Sequence, residues 1–486
     1  MRNSIALLSV LCGSLCCGLS RADDWPQFRG PSAIGLTNEQ GLPTEWNAVA
    51  DGQDENIAWK ANLPGVAWSQ PIVVGDSIFV TTAVSEGQPK PQAGRGGGGG
   101  RGRGGFGPGG RPGGNRPPNA EGGEDAPRGE APRPRGGFGR GGGAPPDAVY
   151  QWQVLCLDRA TGEIRWQKTA HEGKPTIPIH RTNTYASETP VTDGERVYAY
   201  FGMTGLYCYD LSGNQVWSKE FESFPMAMGW GAGSSPALDG DRVFVQCDNE
   251  EDSFLAAFNK LTGEEVWRDT RDEKSNWSTP YLWKNKVRTE LVTAGGTRVR
   301  SYDPASGKLL WELGGIRGRC SATPVGNDEM LYFGTGGGQG PGPLMAVKAG
   351  AAGEISANDT GEESSIAWTL PRGGPSMASP LLYENCLYVI DQRGGIVGCY
   401  DAHTGEQYYR ERLPDAKGFT SSPWAYDGKV FCLDEEGQTF VLKAGPSFEV
   451  LSTNKLDDMF WSSVAIADGK LLLRGVDRLY CIRKQP

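Results

Sequence analysis

Histidine is nearly missing from this chain. His171, His180 and His403 are its three histidines in 486 residues, too few for an obvious histidine-built metal site. No Cys-x-x-Cys-His run occurs, which excludes a covalently attached c-type haem. The single adjacent cysteine pair, Cys16-Cys17, lies close to the start. Beyond residue 22 no segment approaches 18 consecutive apolar residues, so no membrane-spanning helix is expected there. Basic residues are in deficit, with 48 Lys and Arg against 58 Asp and Glu, a net charge of −10. Residues 87–148 hold ten of the basic and five of the acidic residues, a local +5 that leaves −15 for the remainder. An acidic body argues against a folded nucleic-acid-binding surface.

What is present divides into a leader, a punctuated β-rich body and one biased segment. Residues 1–22 read as a secretory signal: Arg2 opens it, Ile5 to Leu19 is apolar but short, and Ser20-Arg21-Ala22 places small residues at a cleavage site. Export to the periplasm or the extracellular space is the expectation. Residues 23–52, with Trp25-Pro26-Gln27-Phe28-Arg29-Gly30-Pro31, are expected to strap the body, their aromatics packed upon it. Hydrophobic residues make up 38% of the chain, enough for a sizeable core. Residues 87–148 lack the apolar content that offsets ordering entropy and read as a disordered Gly/Arg/Pro-rich insertion.

The body repeats. A Ser-x-Pro-like element followed by an alternating strand and a Gly turn recurs at Pro71, Pro190, Pro236, Pro280, Pro324, Pro380 and Pro423, with spacings of 119, 46, 44, 44, 56 and 43. An eighth copy starts at Trp461-Ser462-Ser463, with Val464 in the proline place. A period near 44 with strong β formers between Gly-containing turns fits four short strands per blade. The fold class is therefore all-β, an eight-bladed β-propeller over 53–486. The last copy lacks its outer strand, and Asn56 to Lys60 supplies one, so the ring is expected to close by pairing this N-terminal strand with the C-terminal blade. The 87–148 insertion falls within blade one, and 349–364 reads as a small polar loop.

Each blade end carries a second pattern: small residue, x, Asp/Asn, x, x, Thr/Ser, Gly, x, x, x, Trp. It appears as Cys156…Asp158…Thr161-Gly162…Trp166 and Ala257…Asn259…Thr262-Gly263…Trp267. Ser301…Asp303…Ser306-Gly307…Trp311 and Cys399…Asp401…Thr404-Gly405…Tyr409 follow it, and Cys208…Trp217 is one residue shorter. Trp59 and Trp368 hold the same place in their blades. This resembles the tryptophan-docking motif of the quinoprotein-type (PQQ-like) repeat propellers, in which each Trp lies between its own blade's small residue and the next blade's Gly turn. The cysteines in the small-residue slot then sit in different blades, beyond disulfide reach, as small buried hydrophobes.

The resemblance implies two kinds of function. One class holds pyrroloquinoline quinone and calcium on the ring axis and oxidises its substrates. The other is non-catalytic and includes the propeller subunit of the outer-membrane β-barrel assembly machinery, which binds proteins. The missing vicinal cysteines and haem motif favour the second: a monomeric scaffold of the cell envelope for proteins or peptides, with no cofactor, no metal and no catalytic residues. A quinone- and calcium-dependent oxidoreductase is the alternative. Trp68, Tyr185, Trp230, Trp277, Phe419 and Trp461 each stand just ahead of an inner strand, where they can ring the channel mouth and grip a peptide, a planar ligand or a sugar. The competing reading makes them wedges between blades. Arg181, Arg317, Arg319 and Arg372 lie nearby for an anionic ligand.

Overall fold

The computed structural model describes residues 24–48, 54–91, 143–337, 340–359 and 363–485. The signal segment and 92–142 of the Gly/Arg/Pro-rich insertion lie outside the described residues. Eight small sheets form the propeller, each entered at its inner strand. Blade 1 comprises Ile72–Val74, Ser77–Val84, Tyr150–Asp158 and Ile164–Gly173; blade 2, Val191–Thr192, Arg196–Phe201, Gly205–Asp210 and Gln215–Glu220. Blade 3 comprises Ala237–Asp239, Arg242–Cys247, Phe254–Asn259 and Glu265–Thr270; blade 4, Tyr281–Lys284, Thr289–Ala294, Val299–Tyr302 and Leu309–Leu313. Blade 5 comprises Val325–Gly326, Met330–Gly337, Gly340–Lys348 and Ile366–Leu370; blade 6, Leu381–Tyr383, Cys386–Ile390, Ile396–Asp401 and Gln407–Arg412. Blade 7 comprises Trp424–Tyr426, Lys429–Leu433, Gln438–Lys443 and Val450–Leu456. Blade 8 takes Ala465–Ala467, Lys470–Arg474 and Arg478–Arg483 from the C-terminal part of the chain and Ile57–Asn62 from the N-terminal part.

That last pairing is antiparallel and sets Trp59 opposite Cys481. The ring closes as the sequence implies. Among the described residues, no helix is long and apolar enough to cross a membrane.

The blade-end pattern has a visible cause. Trp166 lies opposite Cys156, Trp217 opposite Cys208, Trp267 opposite Ala257, Trp368 opposite Ala346 and Tyr409 opposite Cys399. A small side chain there leaves room for the ring. The indole then reaches the next blade: Trp166 Nε1 donates to the Leu211 carbonyl, Trp217 to Lys260, Trp267 to Pro304 and Trp368 to Ala402. A Cβ at Gly162, Gly213, Gly263, Gly307 or Gly405 would strike Trp59, Trp166, Trp217, Trp267 or Trp368 respectively, and all five glycines have positive φ. Glycine is thus required twice over, by conformation and by the approaching ring. The Asp and Thr/Ser of the pattern tie the turn itself, as in the Asp158 carboxylate accepting the Thr161 amide at 2.9 Å.

Trp311 departs from its expected docking. Blade 5 carries no Asp-x-x-Thr-Gly turn to receive it, and its Nε1 instead donates to the buried Glu290 carboxylate at 2.7 Å. The segment around 349–364 is likewise more than a loop. Its Gly353–Ile355 adds a parallel fifth strand to blade 4, with Gly353 opposite Trp311.

Candidate functional site

The Ser-x-Pro repeat builds a closed girdle around the axis. The residue before each inner-strand proline gives its amide to the hydroxyl of its counterpart in the next blade. Gln70 N–H donates to Thr189 Oγ1 at 3.0 Å, Thr189 to Ser235 at 2.9 Å, Ser235 to Thr279 at 3.1 Å and Thr279 to Thr323 at 3.3 Å. Thr323 donates to Ser379 at 3.0 Å, Ser379 to Ser422 at 3.1 Å and Ser422 to Ser463 at 3.0 Å. At the seam between blades 8 and 1 the device changes. Buried Arg474 of blade 8 donates to the Ser69 hydroxyl and the Thr81 carbonyl, each at 2.7 Å. Burial holds that guanidinium down to about 9.

Below the girdle the N-terminal strap crosses the ring. Trp25 exchanges backbone hydrogen bonds with Val73 of blade 1, the Pro26 carbonyl accepts Thr192 N–H of blade 2, and the Gly35 carbonyl accepts Ala425 N–H of blade 7. Between these anchors Arg29 is buried at 1% exposure. Its amide donates to Gln70 Oε1 at 3.1 Å, and its Nη2 to the Pro380 carbonyl at 2.6 Å and the Ile34 carbonyl at 3.0 Å. Burial lowers its pKa to about 9. Phe28 lines two cavities, a cup and a groove of about 730 Å³, and Thr279 borders both as well.

The cup above the girdle has a volume of about 950 Å³. Trp68, Trp230, Trp277 and Trp461 wall it. Trp68 stacks on Trp461 with ring centroids 5.6 Å apart and 24° between planes, and Trp230 meets Trp277 at 5.6 Å and 37°. Trp68 Nε1 donates to the Thr182 carbonyl at 2.8 Å and Trp277 Nε1 to the Gly231 carbonyl at 2.6 Å, so both rings are fixed by the backbone of the neighbouring blade. Arg319 lies over Trp230, 5.4 Å from the ring centroid. His180, whose Nδ1 lies 2.8 Å from Thr182 Oγ1, also borders the cup, and burial beside Arg181 lowers its pKa.

Two of the six expected rim aromatics are elsewhere. Tyr185 is buried against Tyr150 and Trp152, its hydroxyl donating to the Ile177 carbonyl at 3.1 Å. Phe419 is fully buried and packs edge-on against Phe440. Both are buried and neither lines the cup. Of the four expected arginines, Arg319 lines the cup, while Arg181, Arg317 and Arg372 are exposed beside it. The sequence reading missed Phe28, Arg393 and the girdle hydroxyls as lining. The last were in view as the repeat's own marker.

The family model described as outer membrane protein assembly factor BamB matches residues 151–319 and 251–398. Together these matches span 151–398, just over half of the 486 residues. The chain belongs to the PQQ-like repeat β-propeller family. Among solved structures it is similar to BamB from Moraxella catarrhalis, with a TM-score of 0.50 and 14% identity over 68% of this chain and 90% of that one. It is also similar to the quinohemoprotein alcohol dehydrogenase from Comamonas testosteroni, with a TM-score of 0.56 and 10% identity over 97% of this chain and 82% of that one. At these identities the likeness concerns the fold. Comparison with curated proteins finds no match.

The donor set of the cup tests the quinone-and-calcium chemistry of part of this family. Asp391 is the one carboxylate among the described lining residues, and the Arg410 guanidinium already binds it. Calcium takes six to eight oxygens, several of them anionic. Among the described residues no group of three or more His, Cys, Asp or Glu is placed to hold a metal ion. The residues present do not fit a calcium-held quinone.

Proposed function

We propose that this protein is exported and serves as a non-catalytic binding scaffold of the cell envelope, a monomer whose partners are proteins or peptides that engage the mouth of the cup. The observation that carries this reading is the tryptophan-walled cavity that residues from around the whole ring line. Concave, pre-formed sites with flat rings and a few fixed polar groups are where propellers and other rigid scaffolds take ligands. The match to the BamB family model supports a binding role, and the poverty of carboxylates in the cup speaks against redox catalysis there.

The test is affinity capture from an envelope extract, using the wild-type protein and a Trp230→Ala, Trp277→Ala double variant. A protein captured by the first and lost by the second is the expected result. Equal capture by both would remove the cup from the binding surface. The family's other chemistry is checked by calorimetric titration with pyrroloquinoline quinone in calcium buffer. No saturable heat is expected, and stoichiometric binding would replace the scaffold reading with an oxidoreductase.

A further inference from the structure

The chemistry of the cup points past the rim to a ligand of its own. Nearly all of its large apolar surface is flat: four indoles and Phe28, with Met377 the one long flexible apolar side chain. Among the described residues no Leu, Ile or Val lines it. Flat, rigid rings suit the C–H faces of a pyranose. Hydroxyl protons supply much of the hydrogen-bonding capacity of the wall. Each girdle hydroxyl has accepted an amide from the preceding blade, which leaves its proton to give, and Thr279 and Ser422 are among five such hydroxyls that line the cup. Gln70, 1% exposed and also in the lining, has an Nε2 with no acceptor among the described residues. Arg319 and Arg393 border the cup, and neither is ion-paired with a carboxylate among the described residues. A complementary ligand therefore has ring faces, many acceptor oxygens and negative charge.

We propose that the cup binds an acidic oligosaccharide, a short run of sugar rings bearing carboxylate or sulfate. The rings stack on the partly exposed Trp230, Trp277 and Trp461, the girdle hydroxyls and Gln70 Nε2 donate to ring oxygens, and Arg319 and Arg393 meet the charge. The volume of about 950 Å³ lies near the top of the ~300–1,000 Å³ range of small-ligand pockets, which suits several rings better than one. This inference rests on the cup being a binding site and goes beyond the protein-scaffold reading in naming what enters it.

The experiment titrates the mature protein with trigalacturonate, a carrageenan tetrasaccharide and neutral maltotriose, following heat and tryptophan fluorescence. Saturable binding of either acidic probe with fluorescence quenching is expected, at least tenfold tighter than maltotriose. The two probes separate carboxylate from sulfate as the source of charge. Trp230→Ala and Arg319→Gln, each checked for unchanged melting, should weaken that binding at least tenfold. No saturable binding by either acidic probe, or binding unchanged in both variants, overturns the inference. If sugars do not bind while an envelope protein is still captured through Trp230 and Trp277, the sugar inference falls and the scaffold reading stands. If neither binds, both fall.

Discussion

The backbone amide of Thr189 in blade 2 donates to the hydroxyl of Ser235 in blade 3 at 2.9 Å, and both residues are buried. The same link joins each successive pair from Gln70 to Ser463, so the residue ahead of the repeat's proline registers one blade against the next. Ser235→Ala would leave the Thr189 amide buried without its acceptor. The expected loss is about 1–3 kcal/mol in urea denaturation. Ser235→Thr, which keeps the hydroxyl, should recover most of it.

Docking of tryptophan on glycine allows a controlled comparison. Gly263 has φ +73°, and a Cβ there would come within 2.6 Å of the Trp217 ring, while Gly240 has φ +58° and open space. Gly240→Ala should cost about 1–2 kcal/mol, the left-handed backbone penalty alone. Gly263→Ala should cost roughly 1–3 kcal/mol more, because the ring must move as well. Equal losses for the two variants would show that the indole does not rest on the turn.

Ring closure depends on a strand distant in sequence from the blade it completes. Deleting residues 53–62 removes Ile57–Asn62, the outer strand of blade 8. The truncated chain is expected to lose its cooperative thermal transition, whereas Trp59→Ala should fold with about 3–5 kcal/mol less stability. A deletion variant with unchanged melting would contradict the closure.

Glu188 makes stability depend on pH. It is buried, accepts the Ser187 and Gly202 amides at 3.1 Å each, and desolvation pushes its pKa from 4.5 up to about 7. A carboxyl raised on folding stabilises the fold fully below its unfolded pKa, and that contribution fades as pH rises through 7. The loss across pH 4.5 to 8 is about 3 kcal/mol. Glu188→Gln should therefore melt higher than wild type at pH 8 and alike at pH 4.5. A pH-independent difference would assign the effect to packing.

Eight cysteines from Cys156 to Cys481 are unpaired, and seven of them are buried. Cys247 is the most accessible, and burial pushes its thiol up to about 11, whereas the hydrogen bond with Cys399 holds the buried Cys386 thiol down to about 7, so inaccessibility and not a raised pKa protects Cys386. A thiol reagent at pH 8 should react slowly with the native protein comprising residues 24–486 and find eight groups once it unfolds. A count of six would reveal a disulfide.

Much of the ring could be read beforehand because its rules are local. The spacing of the prolines, the small residue opposite each Trp and the Gly turn all lie within one blade or its immediate neighbour. The site is harder to read because orientation is set at long range. Tyr185 and Trp68 occupy the same repeat position, but Tyr150 and Trp152, beyond the long insertion, draw Tyr185 into the core. Trp311 obeys its own blade's pattern and is redirected by what blade 5 lacks and Glu290 offers. Arg393 stands in a turn with no repeat signature, and Phe28 reaches the axis from a strap anchored on blades 1, 2 and 7.

Phe28 lines both the cup and the groove, and Arg29 next to it ties the strap to Gln70 of blade 1 and to the Pro380 carbonyl of blade 6. Part of the cup's wall is thus supplied by the strap and not by the blades. A substitution at Phe28 would change what the cup accepts while leaving all eight sheets and their mutual register as they are.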